Sequence, residues 1–326
     1  MDCTNKERKQ QMEGIKIVYG DCTLGVHGTD FHYIFSYQSG GLESLVTDGK
    51  EWLYRVPKPT FWRATTDNDR GNKFPLRSGM WLGADMFIDC TGIDIFVDDK
   101  KIEMPIAPEN NRYSGNETAE KVKIIFTYRT ITVPATTVEV AYEITAAGDI
   151  EVHVHYYGNK KLPELPVFGM RFVMPTKAVS YRYEGLSGET YPDRMAGGVE
   201  GIYEVEGLPV TKYLVPQDCN MHMNTKWLEV FRNTTQDNSN MDSSIFGLKF
   251  SSVEKEFAFA CIPYTAEELE NATHQEELPA ARRTVVSILG AVRGVGGINS
   301  WGADVEPAYH IDAEKDIKYS FKISRI

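Results

Sequence analysis

Short runs of alternating apolar and polar residues, separated by turns, are the feature of this 326-residue chain that most restricts its fold. Four consecutive examples are Val122–Thr132, Thr137–Ile144, Ile150–Tyr157 and Phe168–Met174. Alternation with a period of two buries one face of a strand and exposes the other, and strands at this regular spacing are typical of large antiparallel sandwiches. The sequence therefore predicts an all-β protein built as a large antiparallel β-sandwich.

The same alternation predicts further strands along the chain, whereas helical patterns are rare. A short helix is predicted over Met80–Met86. A second is predicted from the N-cap Thr265 to about His274, because Thr265-Ala266-Glu267-Glu268 forms a capping box. No repeat or clear break divides the chain, so we expect a flexible tail over residues 1–14 and one domain over residues 15–326. The additional predicted strands are Ile15–Tyr19, Phe31–Ser36, Leu42–Val46, Glu51–Arg55, Ile93–Val97, Lys101–Met104, Thr284–Leu289 and Ile317–Ile323.

Charge and cysteine usage restrict the function and the compartment. Acidic residues number 46 against 35 basic ones, and the resulting net charge of −11 argues against binding to nucleic acid phosphates. The polar N-terminus lacks the apolar core of a secretory signal, and no later apolar run is long enough to span a membrane. The five cysteines are odd in number and form no Cys-x-x-Cys pair, which is typical of reduced thiols. We expect a cytoplasmic protein.

The stretch Thr60–Asn72 combines two large aromatic side chains, an arginine and a polar run that closes on glycine. Its Asp67–Gly71 part is typical of a turn, because Asx side chains bond the nearby backbone and glycine tolerates positive φ. The following Asn72–Gly79 is predicted to be irregular, and such loops tend to be functional or mobile. An EF-hand calcium loop from Asp67 is excluded, because the glycine and the closing glutamate that it requires are both missing.

Four stretches, taken in order, resemble a known family. They are Phe61-Trp62-Arg63-Ala64 with Asp67-Asn68-Asp69-Arg70-Gly71, then Tyr183–Arg194, Tyr213–Asp218 and Gly296–Gly302. Their order and spacing resemble the C-terminal domain (domain 5) of glycoside hydrolase family 2 β-galactosidases, and the similarity extends from about Ile15 to the C-terminus. Since the chain stands alone, it is most similar to the small subunits of heterodimeric β-galactosidases. The resemblance implies a galactose mutarotase-like super-sandwich with one or two short helices.

The resemblance also implies a non-catalytic role beside a large subunit that hydrolyses terminal non-reducing β-D-galactosides, such as lactose, with retention. Retaining glycosidases need two carboxyl groups roughly 5 Å apart. In the family these are glutamates on a (β/α)₈ barrel, and this chain has no alternating strand–helix pattern for one. Its Asn116-Glu117 pair is predicted to be a surface turn. We therefore expect an isolated chain that is inactive, without catalytic residues or a cofactor of its own, and Mg²⁺ and Na⁺ on the large subunit.

Trp301 is the candidate for direct contact with substrate. It stands between small residues in a Gly-rich segment, where neighbouring glycines let the backbone bend and expose an indole face. Sugar C–H groups pack on such a face, and the resemblance implies that Trp301 forms part of the active-site wall and stacks on the sugar. The alternative is a core tryptophan that fills one end of the sandwich.

Gly71 and Asn72 are candidates for a mobile active-site loop, since the resemblance implies that the matching glycine begins a loop that opens and closes. An ordinary structural turn is the alternative. Arg63, Asp67 and Asp69, with Asn68, are expected to support the site structurally through an ion-pair network. The Glu189–Arg194 cluster is expected to be a rigid turn, plausible at an interface with the large subunit.

The histidines give no clear metal site. His153 and His155 share a strand face with Glu151, a pattern more typical of a solvated face than of metal ligands. His310 has no partner visible in the sequence, and no Ser-His-Asp order or phosphate-binding loop is present. We expect no metal on this chain.

Three rival interpretations remain open. A stand-alone sugar enzyme of the mutarotase type would need a histidine and a carboxylate converging as acid and base. A free carbohydrate-binding module would use Trp301 alone and would bind sugar without a partner. In the third interpretation, the chain is an excised part of a longer β-galactosidase. The N-terminal Met1 and the short polar tail argue weakly against it.

Overall fold

The computed structural model describes residues 14–299 and 302–326. Three α-helices of five or six residues are present in this part of the chain: α1 (Asp67–Gly71), α2 (Phe74–Ser78) and α3 (Ala266–Asn271). Single 3-10 turns occur at Gly79–Trp81, Glu109–Arg112, Gln275–Glu277 and Pro307–Tyr309. The strands are β1 (Ile15–Tyr19), β2 (Thr23–His27), β3 (Phe31–Ser36), β4 (Gly41–Thr47), β5 (Lys50–Glu51), β6 (Lys58–Thr60), β7 (Asp89–Val97), β8 (Lys100–Ile102), β9 (Thr118–Ala119), β10 (Lys121–Arg129), β11 (Thr137–Thr145), β12 (Ile150–Tyr156), β13 (Val167–Met174), β14 (Ser180–Leu186), β15 (Glu200–Glu206), β16 (Met221–Thr225), β17 (Trp227–Arg232), β18 (Phe246–Ser252), β19 (Phe257–Ile262), β20 (Thr284–Val292) and β21 (Ile317–Arg325).

A ten-stranded antiparallel sheet forms one layer, in the order β15-β14-β17-β18-β21-β12-β11-β10-β7-β8. Its strands show the period of two that the sequence predicts. Along β10, Val122, Ile124, Phe126 and Tyr128 are buried, and the residues between them are partly exposed. One face of this sheet is therefore apolar and must be covered.

Two smaller antiparallel sheets cover that face. The six-stranded sheet (β5-β4-β3-β2-β1-β9) packs through Phe35, whose ring lies 5.5 Å from that of Tyr142. The five-stranded sheet (β16-β19-β20-β13-β6) packs through Phe168, 5.2 Å from Tyr156, and through Phe172. Burial of these aromatic rings accounts for much of the core. The predicted all-β antiparallel architecture is confirmed.

The five-stranded sheet differs from the others because both of its faces are covered. Every residue of β13 is buried, including Arg171, and every residue of β19 is buried as well. One face meets the ten-stranded sheet. Near the other lies α3, whose Glu267 pairs with Arg171 at 3.2 Å. Arg171 also donates to the carbonyl of Trp62, whose ring stacks on Phe74 of α2, so α2 lies near the same face. The candidate site lies on this second side.

Several predicted elements differ from the structure. The strand predicted over Glu51–Arg55 ends at Glu51, because the Glu51 carboxylate itself accepts the N–H groups of Trp52 and Leu53. The helix predicted over Met80–Met86 is wrong: after one 3-10 turn, Gly83 adopts a φ of +74°, which a helix does not allow. The helix that begins after Thr265 ends at Asn271, short of His274.

The predicted turn at Asp67–Gly71 is α1, and the segment Asn72–Gly79, predicted to be irregular, contains α2. Apart from Gly14, the predicted tail over residues 1–14 lies outside the described residues, so the division into tail and domain stays a prediction. The four described cysteines are free thiols: Cys22, Cys90, Cys219 and Cys261. Within the described residues, no helix has the length and apolar character needed to cross a membrane.

Candidate functional site

The four motif stretches, far apart in the sequence, meet around one cleft of about 600 Å³. Its walls come from Thr66–Asn68 at the start of α1, from the 189–194 segment, from the 213–218 segment, and from Val295–Asn299 in the Gly-rich segment after β20. Antiparallel pairing brings these connections to the same side of the five-stranded sheet. This convergence identifies the candidate site.

Helix α1 begins with a capping box at the edge of the cleft. The Thr66 hydroxyl accepts the N–H of Asp69 (3.2 Å), and the Asp69 carboxylate accepts the N–H of Thr66 (3.0 Å). Reciprocal caps of this kind satisfy two backbone donors that a helix start leaves unpaired. The amide side chain of Gln217 accepts the N–H of Asp67 (2.9 Å) and ties the helix to the 213–218 segment.

A buried ion-pair network lies beneath α1. One carboxylate oxygen of Asp69 pairs with the Arg63 guanidinium at 2.7 Å, and the other pairs with the Arg293 guanidinium at 3.0 Å. All three side chains are at most 2% exposed. Burial by itself would raise the pKa of Asp69, but the Arg63 charge, the Thr66 amide and the Arg293 charge outweigh it and hold the pKa below its ordinary value. Asp69 is therefore a charged, fully paired group inside the protein.

Arg293 extends this network to other parts of the chain. Its guanidinium pairs with Glu164, at 3.2 Å, and with Asp304, and it lies 4.4 Å from the ring centre of Phe74 in α2. Arg77, also in α2, pairs with Asp304 at 3.2 Å. Arg293 thus joins α1, α2 and the segment after the Gly-rich stretch through one buried side chain.

Glu164, Asp304 and His310 bring their ligand atoms within 4.8 Å of one another, as a metal site would require. Their charges are already compensated, however. Arg293 pairs with both carboxylates, and His310 bonds Glu164 through Nδ1. A divalent cation would have to displace a guanidinium that is fully buried, which leaves an uncompensated charge. The residues fit an ion-pair network better than a metal centre.

Gly71 and Gly302 touch backbone to backbone. A Cβ added to Gly302 would lie 2.3 Å from the carbonyl carbon of Gly71 and 2.6 Å from the amide nitrogen of Asn72, and Gly302 also has a φ of +96°. Only glycine fits this position without strain. The predicted loop residues Gly71 and Asn72 therefore lie against the end of the Gly-rich segment. Trp301 lies outside the described residues.

The Gly-rich segment is held by the 189–194 cluster. The Asp193 carboxylate accepts the N–H groups of Val295 (3.0 Å) and Gly296 (2.8 Å), and the Arg194 guanidinium donates to the carbonyl of Gly296. From the other side, the Asn68 amide donates to the carbonyl of Val295 (3.2 Å). Asp193, Arg194 and Asn68 therefore fix the backbone of the cleft wall.

Asp218 contributes a buried carboxylate to the cleft. It accepts a hydrogen bond from the Tyr191 hydroxyl at 2.8 Å. Burial raises the pKa of Asp218 to about 6, although the Arg63 charge and the Tyr191 hydrogen bond both act to lower it. The cleft thus contains a carboxyl group that changes charge near neutral pH.

Only part of the ion-pair network predicted for Arg63, Asp67 and Asp69 is present. Arg63 and Asp69 form the predicted ion pair, but Asp67 does not join it in the described structure: it is largely exposed and pairs with Arg70 at 2.9 Å. Asn116-Glu117 is an exposed turn, as predicted.

The histidines confirm the prediction of a solvated strand face. His153 lies 3.2 Å from Glu151, and His155 lies 2.8 Å from Asp316, which directly precedes the neighbouring strand β21. Both pairs are partly exposed to solvent, and each histidine has a single acidic partner.

Sequence reasoning missed the residues that complete the network, namely Arg293, Glu164 and Asp304. It also gave Gln217 and Asp218 no role beyond the motif they belong to. One local signal was available: Thr66 three residues before Asp69 is a capping pattern that predicts a helix start.

Comparison with known proteins adds family information. The model of the β-galactosidase small chain family matches residues 27–323. The β-galactosidase small subunit of Latilactobacillus sakei is 64% identical over 310 residues, which cover 95% of this chain and 98% of that protein.

Longer relatives match over the same region. The β-galactosidase of Halalkalibacterium halodurans is 32% identical over 332 residues, covering 100% of this chain but 30% of that protein. The β-galactosidase of Streptococcus thermophilus is 30% identical, covering 95% of this chain and 27% of that protein. This chain therefore spans less than a third of those proteins.

Among solved structures, the galactose 1-epimerase of Lactobacillus acidophilus is similar over 93% of this chain and 94% of that chain, at 9% identity and a TM-score of 0.38. A likeness at this level carries no argument about fold or function. The description of the fold rests on the strands and sheets themselves.

Proposed function

The chain belongs to the β-galactosidase small chain family, and on that premise we propose that it completes the active site of a large, catalytic subunit. The assembled enzyme is of the glycoside hydrolase family 2 type and hydrolyses terminal non-reducing β-D-galactosides such as lactose with retention. The observation that carries the proposal is the convergence of the four family motifs on one open cleft.

The carboxylates that line the cleft support the proposal that catalysis requires a partner chain. A retaining mechanism needs one carboxylate as nucleophile and one as acid/base, roughly 5 Å apart. The three carboxylates that line the cleft each serve the chain itself: Asp67 pairs with Arg70, Asp218 accepts from Tyr191, and Glu189 accepts the N–H of Asn220 at 2.5 Å. Both catalytic glutamates are therefore assigned to the large subunit, and the isolated chain is inactive.

Trp301 is the proposed contact with the galactosyl group. The next residue in the sequence, Gly302, packs its backbone on Gly71 and Asn72, so the end of the Gly-rich segment meets the end of α1. An aromatic face stacks on sugar C–H groups. The segment that starts at Gly71 is proposed to move when substrate enters, with Arg63, Asn68 and Asp69 holding its base.

The remaining features of the proposal concern ions and location. Mg²⁺ and Na⁺ act on the large subunit, and this chain holds no cofactor. The free thiols of the four described cysteines favour a reducing compartment, so the proposed location is the cytoplasm.

Hydrolysis of a chromogenic β-galactoside tests the proposal, with this chain alone, with the large subunit alone and with the two mixed. We expect activity only in the mixture. Activity of the isolated chain would contradict the assignment of both glutamates to the large subunit. If none of the three samples is active but this chain still binds galactose, a carbohydrate-binding module is favoured instead.

A further inference from the structure

Five large apolar side chains in α2 and in the connection from α2 to β7 face solvent: Leu76, Met80, Leu82, Met86 and Phe87. We infer that this apolar patch is a docking surface for the large subunit of the β-galactosidase. The inference rests on the proposed function and adds the surface through which the two subunits associate.

The five side chains of the patch are strongly exposed and lie close together in the sequence. Leu76 is 82% exposed and Phe87 is 62% exposed, within a segment of only twelve residues. A Cβ placed on Gly83 would lie 3.8 Å from the Phe87 ring and 4.0 Å from the Met86 methyl group, so these two side chains fold back over the same glycine. Soluble monomers rarely expose contiguous apolar surface of this kind without a binding role.

The part of the patch that follows Gly79 also lacks outward charge. Between Gly79 and Ile88 the only charged residue is Asp85, and its carboxylate turns inward to Arg171 at 3.0 Å. The cores of protein interfaces are depleted in charged residues and enriched in Met and Phe. The composition of this segment is therefore that of an interface core.

A cleft of about 750 Å³ adjoins the patch and gives it a concave part. Met86 forms one wall, and Tyr54 and Val285 belong to others. Arg283 packs over the Tyr54 ring at 3.6 Å. Much of the remaining lining is charged, including Arg55, Lys58, Glu267, Glu268 and Arg282, so the groove suits a partner segment that carries polar or charged side chains beside an apolar anchor.

The occupant follows from the position of α2. Leu76 precedes Arg77, which pairs with Asp304 in the network that holds the candidate site, so the patch and the site share one short helix. Because the cleft is proposed to face the large subunit, we place the same partner against the patch. In the H. halodurans relative this region is joined covalently to the other 70% or so of the protein, whereas a separate chain must hold its partner by buried surface.

Binding measurements with the purified large subunit test the inference. The variants are Leu76→Glu, Phe87→Glu and the double variant, and Met241→Glu is the matched control, because Met241 is 89% exposed on the β17–β18 connection. We expect the patch variants to raise the Kd for the large subunit at least tenfold and the control to leave it within about twofold. Thermal unfolding of each isolated variant verifies that it folds.

Activity and hydrogen exchange give two further readouts. At saturating small subunit Phe87→Glu is expected to restore wild-type kcat, because Phe87 lies neither in the cleft nor in the short segment that starts at Gly71. Amides of residues 79–88 are expected to exchange more slowly in the complex.

Three outcomes are distinguishable from success. If the wild-type chain binds the large subunit and the patch variants bind with the same Kd, the patch is not the docking surface, whereas the proposed function stands. Loss of self-association in the variants, with large-subunit binding intact, would assign the patch to a second copy of this chain and overturn the inference. Failure of the wild-type chain to bind the large subunit would overturn the proposed function together with the docking surface.

Discussion

Replacing Asp69 by asparagine tests whether the buried ion-pair network holds the candidate site together. Asp69→Asn keeps the size of the side chain but removes the negative charge that two buried guanidiniums, Arg63 and Arg293, share at 2.7 and 3.0 Å. Removal of one partner from a buried ion pair destabilises proteins by about 3–5 kcal/mol, because the remaining charge is desolvated and unpaired. We expect the free energy of unfolding to fall by about that amount.

Asp67 supplies a control two residues away. Its carboxylate is 70% exposed and pairs with Arg70 at 2.9 Å, and surface pairs of this kind contribute about 0–1 kcal/mol. Asp67→Asn should therefore leave the free energy of unfolding nearly unchanged. Urea unfolding of the isolated chain, followed by circular dichroism, measures both variants under the same conditions.

The pH dependence gives an independent signature. Because the network holds the pKa of Asp69 below its ordinary value of about 3.9, the stabilisation is fully present above that value and is lost as the pH falls through the lowered pKa. The difference between the wild type and Asp69→Asn should be constant near neutral pH and shrink in acid. A loss no greater than that of Asp67→Asn at pH 7 would refute the network as the support of the site.

Four further predictions concern the cleft. Trp301→Ala should raise the KM of the assembled enzyme and leave the Tm of the small subunit unchanged, and an unaltered KM would rule out sugar contact by Trp301. Gly302→Ala should lower the Tm and the kcat/KM of the assembled enzyme more than Gly115→Ala, because both glycines have positive φ but only a Cβ at Gly302 meets backbone atoms, at 2.3 Å; equal effects would contradict the close contact. Gly71→Ala should change kcat and KM together in steady-state assays if this segment moves during turnover, and unchanged values would exclude a hinge. Asp218→Asn should gain stability over the wild type as the pH rises from about 4 to about 6, by on the order of 1–3 kcal/mol. The raised pKa of Asp218 makes the wild-type contribution greatest below the ordinary pKa, and this contribution is lost as the pH reaches the raised value. Parallel stability curves for the two proteins would show that Asp218 does not titrate with a raised pKa.

The sequence alone predicts the position of a strand where one face of that strand is buried and the other is exposed. The alternation over β10, β11 and β12 predicted these strands within a few residues, because the side-chain period of a strand is a local property. The capping box at Thr265 was equally local, and its hydrogen bonds are present. The family motifs also identified all four segments that wall the cleft before their proximity was known.

Elsewhere local patterns were ambiguous or misleading. Asp67–Gly71 has the composition of a turn, yet it is helical because Thr66 and Asp69 cap each other and Asp69 finds two arginines in the interior. Met80–Met86 was predicted to be a short helix, but Gly83 breaks the helical conformation and several of the side chains face solvent. In both cases the backbone conformation depends on contacts with residues distant in the sequence, which a short stretch of sequence does not reveal.

What the sequence by itself determined is the β architecture, the family and the residues worth testing. Only the tertiary structure brought Arg293 to Asp69, 224 positions away, set Gly302 against Gly71, and turned the charge of Asp85 inward so that an apolar patch remained outside. The physical reason is that strand formation follows from side-chain periodicity along a few residues, whereas ion pairing, close backbone contact and exposure depend on which segments the sheets bring together and which charges they exclude from water.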